Sequence, residues 1–108
     1  MRTTVEGIAF HSKGEAKRYQ ELRLLERAGE ISNLELQPAF LLCAHPPDGA
    51  MRTIGKYIAD FAYIDKRTKA QVVEDFKGFD TQLARWKRKH MEAEYGITVL
   101  VTGKATRR

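Results

Sequence analysis

One cysteine in 108 residues leaves Cys43 without an intrachain partner. No disulfide framework is available, and small secreted domains usually carry one, so an intracellular, cytoplasmic protein is expected. Long apolar runs are equally scarce. The longest, Ala39–Ala44, falls far short of the roughly 20 residues that cross a bilayer as a helix. The first ten residues are polar and show no apolar stretch behind basic ones, so no signal peptide and no membrane association are expected. Three prolines and the lack of any internal repeat or Pro-, Gly- or Ser-rich linker point to a single domain over residues 1–108.

What the chain does have is charge, unevenly placed. At 43% hydrophobic and 31% charged residues it is too apolar for a disordered tail, and its formal charge is +5. Residues 1–80 carry 12 basic and 12 acidic side chains, whereas residues 81–108 carry seven basic and two acidic ones. The whole excess therefore lies in the last quarter of the chain, which points to a polyanionic partner.

Ser12 followed by Glu15 has the form of a capping box, and the good helix formers behind it stop at Gly29, so a first helix is predicted over 13–28. A first strand is predicted over 34–43, edge-like at Pro38. The turn-rich 45–49 then leads to a second strand over 56–64 and a third over 70–77. Thr81 caps a second helix that runs to Tyr95 and stops at Gly96, and a short strand over 97–101 precedes a polar, basic tail. The order α, β, β, β, α, β predicts a mixed α/β fold of the α+β kind, with helices packed on a central mixed sheet.

Carboxylates on otherwise apolar strand faces are the informative residues. With a period of two, Asp60 shares a face with Ile58, Ala62 and Ile64, and such a carboxylate is costly unless something positive meets it. Asp75 and Lys77 share a face of the third strand, with Glu74 pointing the other way beside Val72 and Phe76. Two carboxylates and a lysine can then converge on one point, as hydrolysis assisted by a divalent cation requires. Structural ion pairs among the same residues are the alternative. Glu15 has two readings, a third carboxylate facing the sheet or the N3 arm of a capping box, and Gln37 either solvates a strand edge or sits beside the carboxylates.

The second helix is read with Leu83, Trp86, His90 and Ala93 packing inward and Arg85, Arg88, Lys89 and Glu92 on a second face that forms a basic stripe, Lys87 between the two. Joined by Lys104, Arg107 and Arg108, the stripe is expected to hold phosphates without regard to base sequence. Trp86 is expected in the core, His45 in an exposed loop, and neither His11 nor His90 as a ligand.

Taken in order, Phe10-x-Ser12-Lys13-x-Glu15-Ala16, Glu35-Leu36-Gln37-Pro38, Tyr57-x-Ala59-Asp60-Phe61 and Val73-Glu74-Asp75-Phe76-Lys77-Gly78 resemble the PD-(D/E)xK nuclease superfamily. Within it, they resemble more narrowly a family of small phage and prophage endonucleases akin to Holliday junction resolvases. The likeness extends from about Glu6 to Val101 and implies a restriction-endonuclease-like αβββαβ core. It further implies a metal-dependent endonuclease in which Asp60 and Asp75, helped by Glu15, hold Mg²⁺ or Mn²⁺. Lys77 is the motif lysine, and Gln37 is left as a candidate supporting residue beside them. Double-stranded or branched DNA is the implied substrate, a homodimer the implied assembly, and the cytoplasm of a bacterial host the implied setting. Ala59 stands where the nominal motif has proline. An inactive DNA-binding protein of the same fold and an RNA-processing nuclease are the rival readings.

Overall fold

The computed structural model describes residues 3–77 and 80–103 of the chain. Within these residues no helix is long and apolar enough to cross a membrane. Helix α1 (Lys13–Arg27) starts where the capping pattern put it, with the Ser12 hydroxyl accepting the Glu15 amide at 3.1 Å. It buries Glu15, Ala16, Tyr19 and Leu22, a stripe at helical spacing, against Phe10, Ile31, Phe61 and Tyr63. Ahead of it lies a small hairpin absent from the sequence prediction, β1 (Thr3–Val5) and β2 (Ile8–Phe10). Its turn residues Glu6 and Gly7 have φ of 52° and 80°, the left-handed pair that suits a two-residue hairpin. The signal was a glutamate in place of the usual Asn or Asp. That glutamate is held by the Tyr19 hydroxyl and by Arg23 at 3.2 and 3.3 Å.

The two long predicted strands are corrected, because each breaks in two. The region 34–43 divides into β3 (Ile31–Leu36) and β4 (Ala39–Ala44), and 56–64 divides into β5 (Arg52–Ile58) and β6 (Phe61–Asp65). Pairing does not stop at the breaks. The Gln37 amide donates to the Asp60 carbonyl at 2.8 Å and the Ala59 amide to the Pro38 carbonyl at 3.1 Å, so one long antiparallel ribbon is creased rather than cut. At the crease Pro38 offers no amide to a ladder, and Gln37 has φ of 52°. Asp60 consequently sits in a bend, and the period of two that grouped it with Ile58, Ala62 and Ile64 does not run through it.

Past the crease, β3 and β6 join β7 (Gln71–Phe76) and β8 (Val99–Thr102) in a four-stranded sheet of order β3-β6-β7-β8. It is mixed: β7 pairs β6 antiparallel and β8 parallel, the crossover running through α2 (Gln82–Tyr95). The result is an α+β arrangement with α1 on one face and α2 with the β4–β5 ribbon on the other. Helix α2 also serves the backbone of β4, an otherwise unpaired edge. Tyr95 donates to the Leu41 carbonyl at 2.8 Å, and Glu94 accepts the Cys43 amide at 2.9 Å.

The inward face predicted for α2 is a second correction. Arg88 and Met91 are buried, while Leu83 and Trp86 are 62% and 73% exposed. An arginine occupies the core side because Asp80 meets it in a bidentate pair, at 3.2 and 2.6 Å. Apolar spacing cannot anticipate that pairing. Lys104, Arg107 and Arg108 lie outside the described residues.

Candidate active site

Asp60, Asp75 and Lys77 come from the crease and from the end of β7, and the fold brings them together. Backbone from two segments, β7 and the Gln37 side of the crease, fixes Asp60. Its carboxylate accepts the Phe76 amide at 2.6 Å, its own amide donates to the Glu74 carbonyl at 3.1 Å, and its carbonyl receives the Gln37 amide. Gln37 thus contributes its main chain to the site while the residue itself stays exposed. Asp75, on the α2 side of β7 and only 1% exposed, accepts a hydrogen bond from the Tyr57 hydroxyl, and the Lys77 ammonium stands 3.4 Å from the same oxygen. Lys77 is anchored through its amide to the Thr102 carbonyl at 2.9 Å. Glu15, buried in the first turn of α1, turns its carboxyl to Asp60, while the half of the capping box made by Ser12 remains in place.

These contacts leave more negative than positive charge in a dry place. Burial pushes the Asp60 carboxyl up to about 6; the Phe76 amide pulls the other way, and the neighbouring Glu15 adds to the rise. Burial likewise pushes Asp75 up to about 6, opposed by the Tyr57 hydrogen bond and Lys77 and reinforced by Asp60. Burial and Asp75 together hold the Tyr57 hydroxyl protonated far above its ordinary range. Among the described residues no three His, Cys, Asp or Glu side chains form a ready-made cage for an ion. Mg²⁺ does not need one, since it keeps several waters and commonly takes one or two carboxylates. Two hard oxygen donors whose charges are undercompensated fit that ion.

Beside these carboxylates runs a cleft of about 320 Å³ lined in part by Lys56, Tyr57, Lys77, Thr81 and Lys87. Of the predicted basic stripe, Arg85, Lys87 and Lys89 are exposed, whereas Arg88 is buried against Asp80. Tyr57 and Lys56 had no role in the sequence reading. Tyr57 stood inside the Tyr-x-Ala-Asp run, three residues before Asp60, and that was its only signal.

A family model described as a protein of unknown function (DUF1064) matches residues 1–105. The chain belongs to the DUF1064 family. No curated protein and no solved structure matches it. The chemistry of this DUF1064 site therefore rests on its own residues.

Gly14 shows how tightly that site is supported. A Cβ there would stand 2.3 Å from the Phe76 ring, and the Phe76 amide is the donor that holds Asp60. Gly14→Ala is expected to lower stability by about 1–3 kcal/mol through overpacking, read as a drop in the urea midpoint with unchanged slope.

Proposed function

We propose that this protein is a Mg²⁺-dependent endonuclease that hydrolyses phosphodiester bonds in DNA. In this reading it is structure-selective, taking branched, Holliday junction-like DNA during phage DNA processing in the cytoplasm of a bacterial host. The observation that carries the reading is the pair of neighbouring carboxyls, Asp60 and Asp75, both raised to about 6, with Asp75 held by Tyr57 and Lys77, which themselves line a lysine-rich cleft. The succession α1, β3, β6, β7, α2, β8 around the main sheet supports a restriction-endonuclease-like core.

Asp60 and Asp75, with Glu15 beside them, would hold the ion, with Mn²⁺ able to substitute, and the ion supplies Lewis acidity at the phosphate and a lowered pKa for water. The protein's own groups do the rest. The Tyr57 hydroxyl and the Phe76 amide each fix one carboxylate, so that neither swings away when its charge is met. Lys77, already held beside Asp75, places a positive charge where negative charge grows on the phosphoryl oxygens. Lys56, Lys87, Arg85 and Lys89 present exposed cations to the backbone phosphates, so that binding weakens with salt and ignores base sequence. A homodimer would let two such sites address two strands.

The test is to incubate the protein with supercoiled plasmid, a four-way junction, linear duplex and structured RNA, in Mg²⁺ or in EDTA. Cleavage of DNA is expected in Mg²⁺ alone, with the junction preferred, and Lys77→Ala is expected to slow it by about 10²–10³-fold. Cleavage that persists in EDTA, or that Lys77→Ala leaves at the wild-type rate, would overturn the proposal. Cleavage confined to RNA would move the activity to another substrate.

A further inference from the structure

Trp86 is the chain's one tryptophan, and the fold leaves it on the surface of α2 at 73% exposure. An exposed indole offers a large, rigid apolar face with a polar N–H at its edge, the combination that is enriched at interfaces. Its neighbours say what kind. Trp86 lines an open depression of about 500 Å³ with Gln82, Arg85, Lys89, Glu92 and the Asp80-paired Arg88, and Lys87 projects from the same helix toward the cleft beside Lys77. Arg85 and Lys89 outnumber the lone carboxylate of Glu92 around the ring, a net positive surface that disfavours the same face of a second copy of the chain and complements a polyanion. A flat aromatic ring among cations is the platform on which unpaired nucleobases stack while their phosphates are held alongside.

The placement of the two depressions adds a constraint. Trp86 opens on one flank of α2 and Lys87 on the lysine cleft at the other, so only the width of a helix, about 10 Å, separates the two depressions. We propose that Trp86 is a stacking platform for an unpaired base of a DNA strand that crosses α2, with Arg85 and Lys89 holding its phosphates, so that the substrate class is DNA in which a base is unpaired or opened at a branch or flap rather than intact duplex. This rests on DNA being the ligand of the site described above, and it adds the feature that would distinguish a branch or flap from a plain helix. Trp86 does not touch the reacting atoms; it positions the strand.

Because no other tryptophan is present, indole emission reports on this residue alone. The protein is titrated in EDTA, where no cleavage occurs in the proposed mechanism, with a 12-nucleotide single strand, a blunt 20-base-pair duplex and the same duplex bearing a short single-stranded flap. Quenching is expected with the single strand and the flap and not with the blunt duplex. Trp86→Ala is expected to weaken single-strand and flap binding about tenfold, while Trp86→Phe stays within about threefold of wild type and blunt-duplex binding is unaltered. Emission that does not move at saturating single strand overturns the proposal, as does an equal loss of affinity for all three probes. So does a Trp86→Ala protein that binds DNA normally but sediments as a smaller species, since a second copy would then be the occupant. A protein that is quenched yet never cleaves in Mg²⁺ sinks the nuclease reading and leaves the platform standing; one that cleaves without quenching does the reverse.

Discussion

Arg18→Met is expected to destabilise the protein by about 3–5 kcal/mol, the cost of leaving a buried charge without its partner. Glu74 is 0% exposed and receives two bonds from the Arg18 guanidinium, at 2.8 and 2.6 Å, together with the Tyr63 hydroxyl. The contact ties α1 to the face of β7 opposite the candidate site. Burial and Glu74 keep the Tyr63 phenol protonated far above its usual range, and Glu74 holds the Arg18 guanidinium charged. If the loss comes from a stranded carboxylate rather than from the lost arginine stem, removing all the polar partners must restore much of it. The triple variant Arg18→Met, Tyr63→Phe, Glu74→Leu is accordingly expected to be more stable than Arg18→Met alone in urea denaturation. A triple variant as unstable as the single one would show that the stem's packing, not the charge, is what matters.

Asp75→Asn is expected to have opposite effects on activity and on stability. On the proposed mechanism it removes a metal ligand and lowers Mg²⁺-dependent cleavage by at least about 10³-fold. In EDTA at pH 8 it is expected to make the fold more stable by about 2–3 kcal/mol, because the folded state no longer holds an undercompensated charge. The sign follows from proton binding. Asp60 and Asp75 titrate near 6 in the folded protein against 3.8 ordinarily, so between about pH 4 and 6 the folded state binds more protons than the unfolded one. Stability contributed by these carboxyls therefore falls as pH rises through that window and stays low above it. Wild type in EDTA is expected to lose stability from pH 4.5 to 7.5, Asp75→Asn to lose less, and Mg²⁺ to raise the wild-type melting temperature at pH 7.5 but not at pH 4.5. A melting temperature indifferent to Mg²⁺ at pH 7.5 would remove the basis for placing an ion at Asp60 and Asp75.

How far the sequence disclosed this molecule depended on the range of each interaction. The helix ends were legible because caps are local: Ser12, Thr81 and Gly96 act within four residues of themselves. The opposite orientations of Glu74 and Asp75 were legible from the period of two. The crease was not, since Gln37-Pro38 and Ala59-Asp60 read as minor irregularities until each is seen to pair with the other. The inward face of α2 was hidden for a similar reason, because Arg88 is acceptable inside only through Asp80, eight residues away. With Arg88 inside, Trp86 is turned to the surface, and the side chain assigned to the core becomes the most exposed large hydrophobic one on its helix.

Strand β7 acts as a partition between two electrostatic compartments. Consecutive residues on it have opposite circumstances: Glu74 faces a fully matched arginine and tyrosine on the α1 side, and Asp75 an incompletely matched lysine and tyrosine on the other. Because side chains alternate, a slip of one residue against β6 and β8 would exchange them, sending the shorter aspartate toward Arg18 and the longer glutamate toward Lys77. Neither would meet its partners. The hydrogen-bond register of one strand thus sets the solidity of the core and the spacing of the acidic pair together, and a single-residue insertion in the 66–70 turn should disturb both at once.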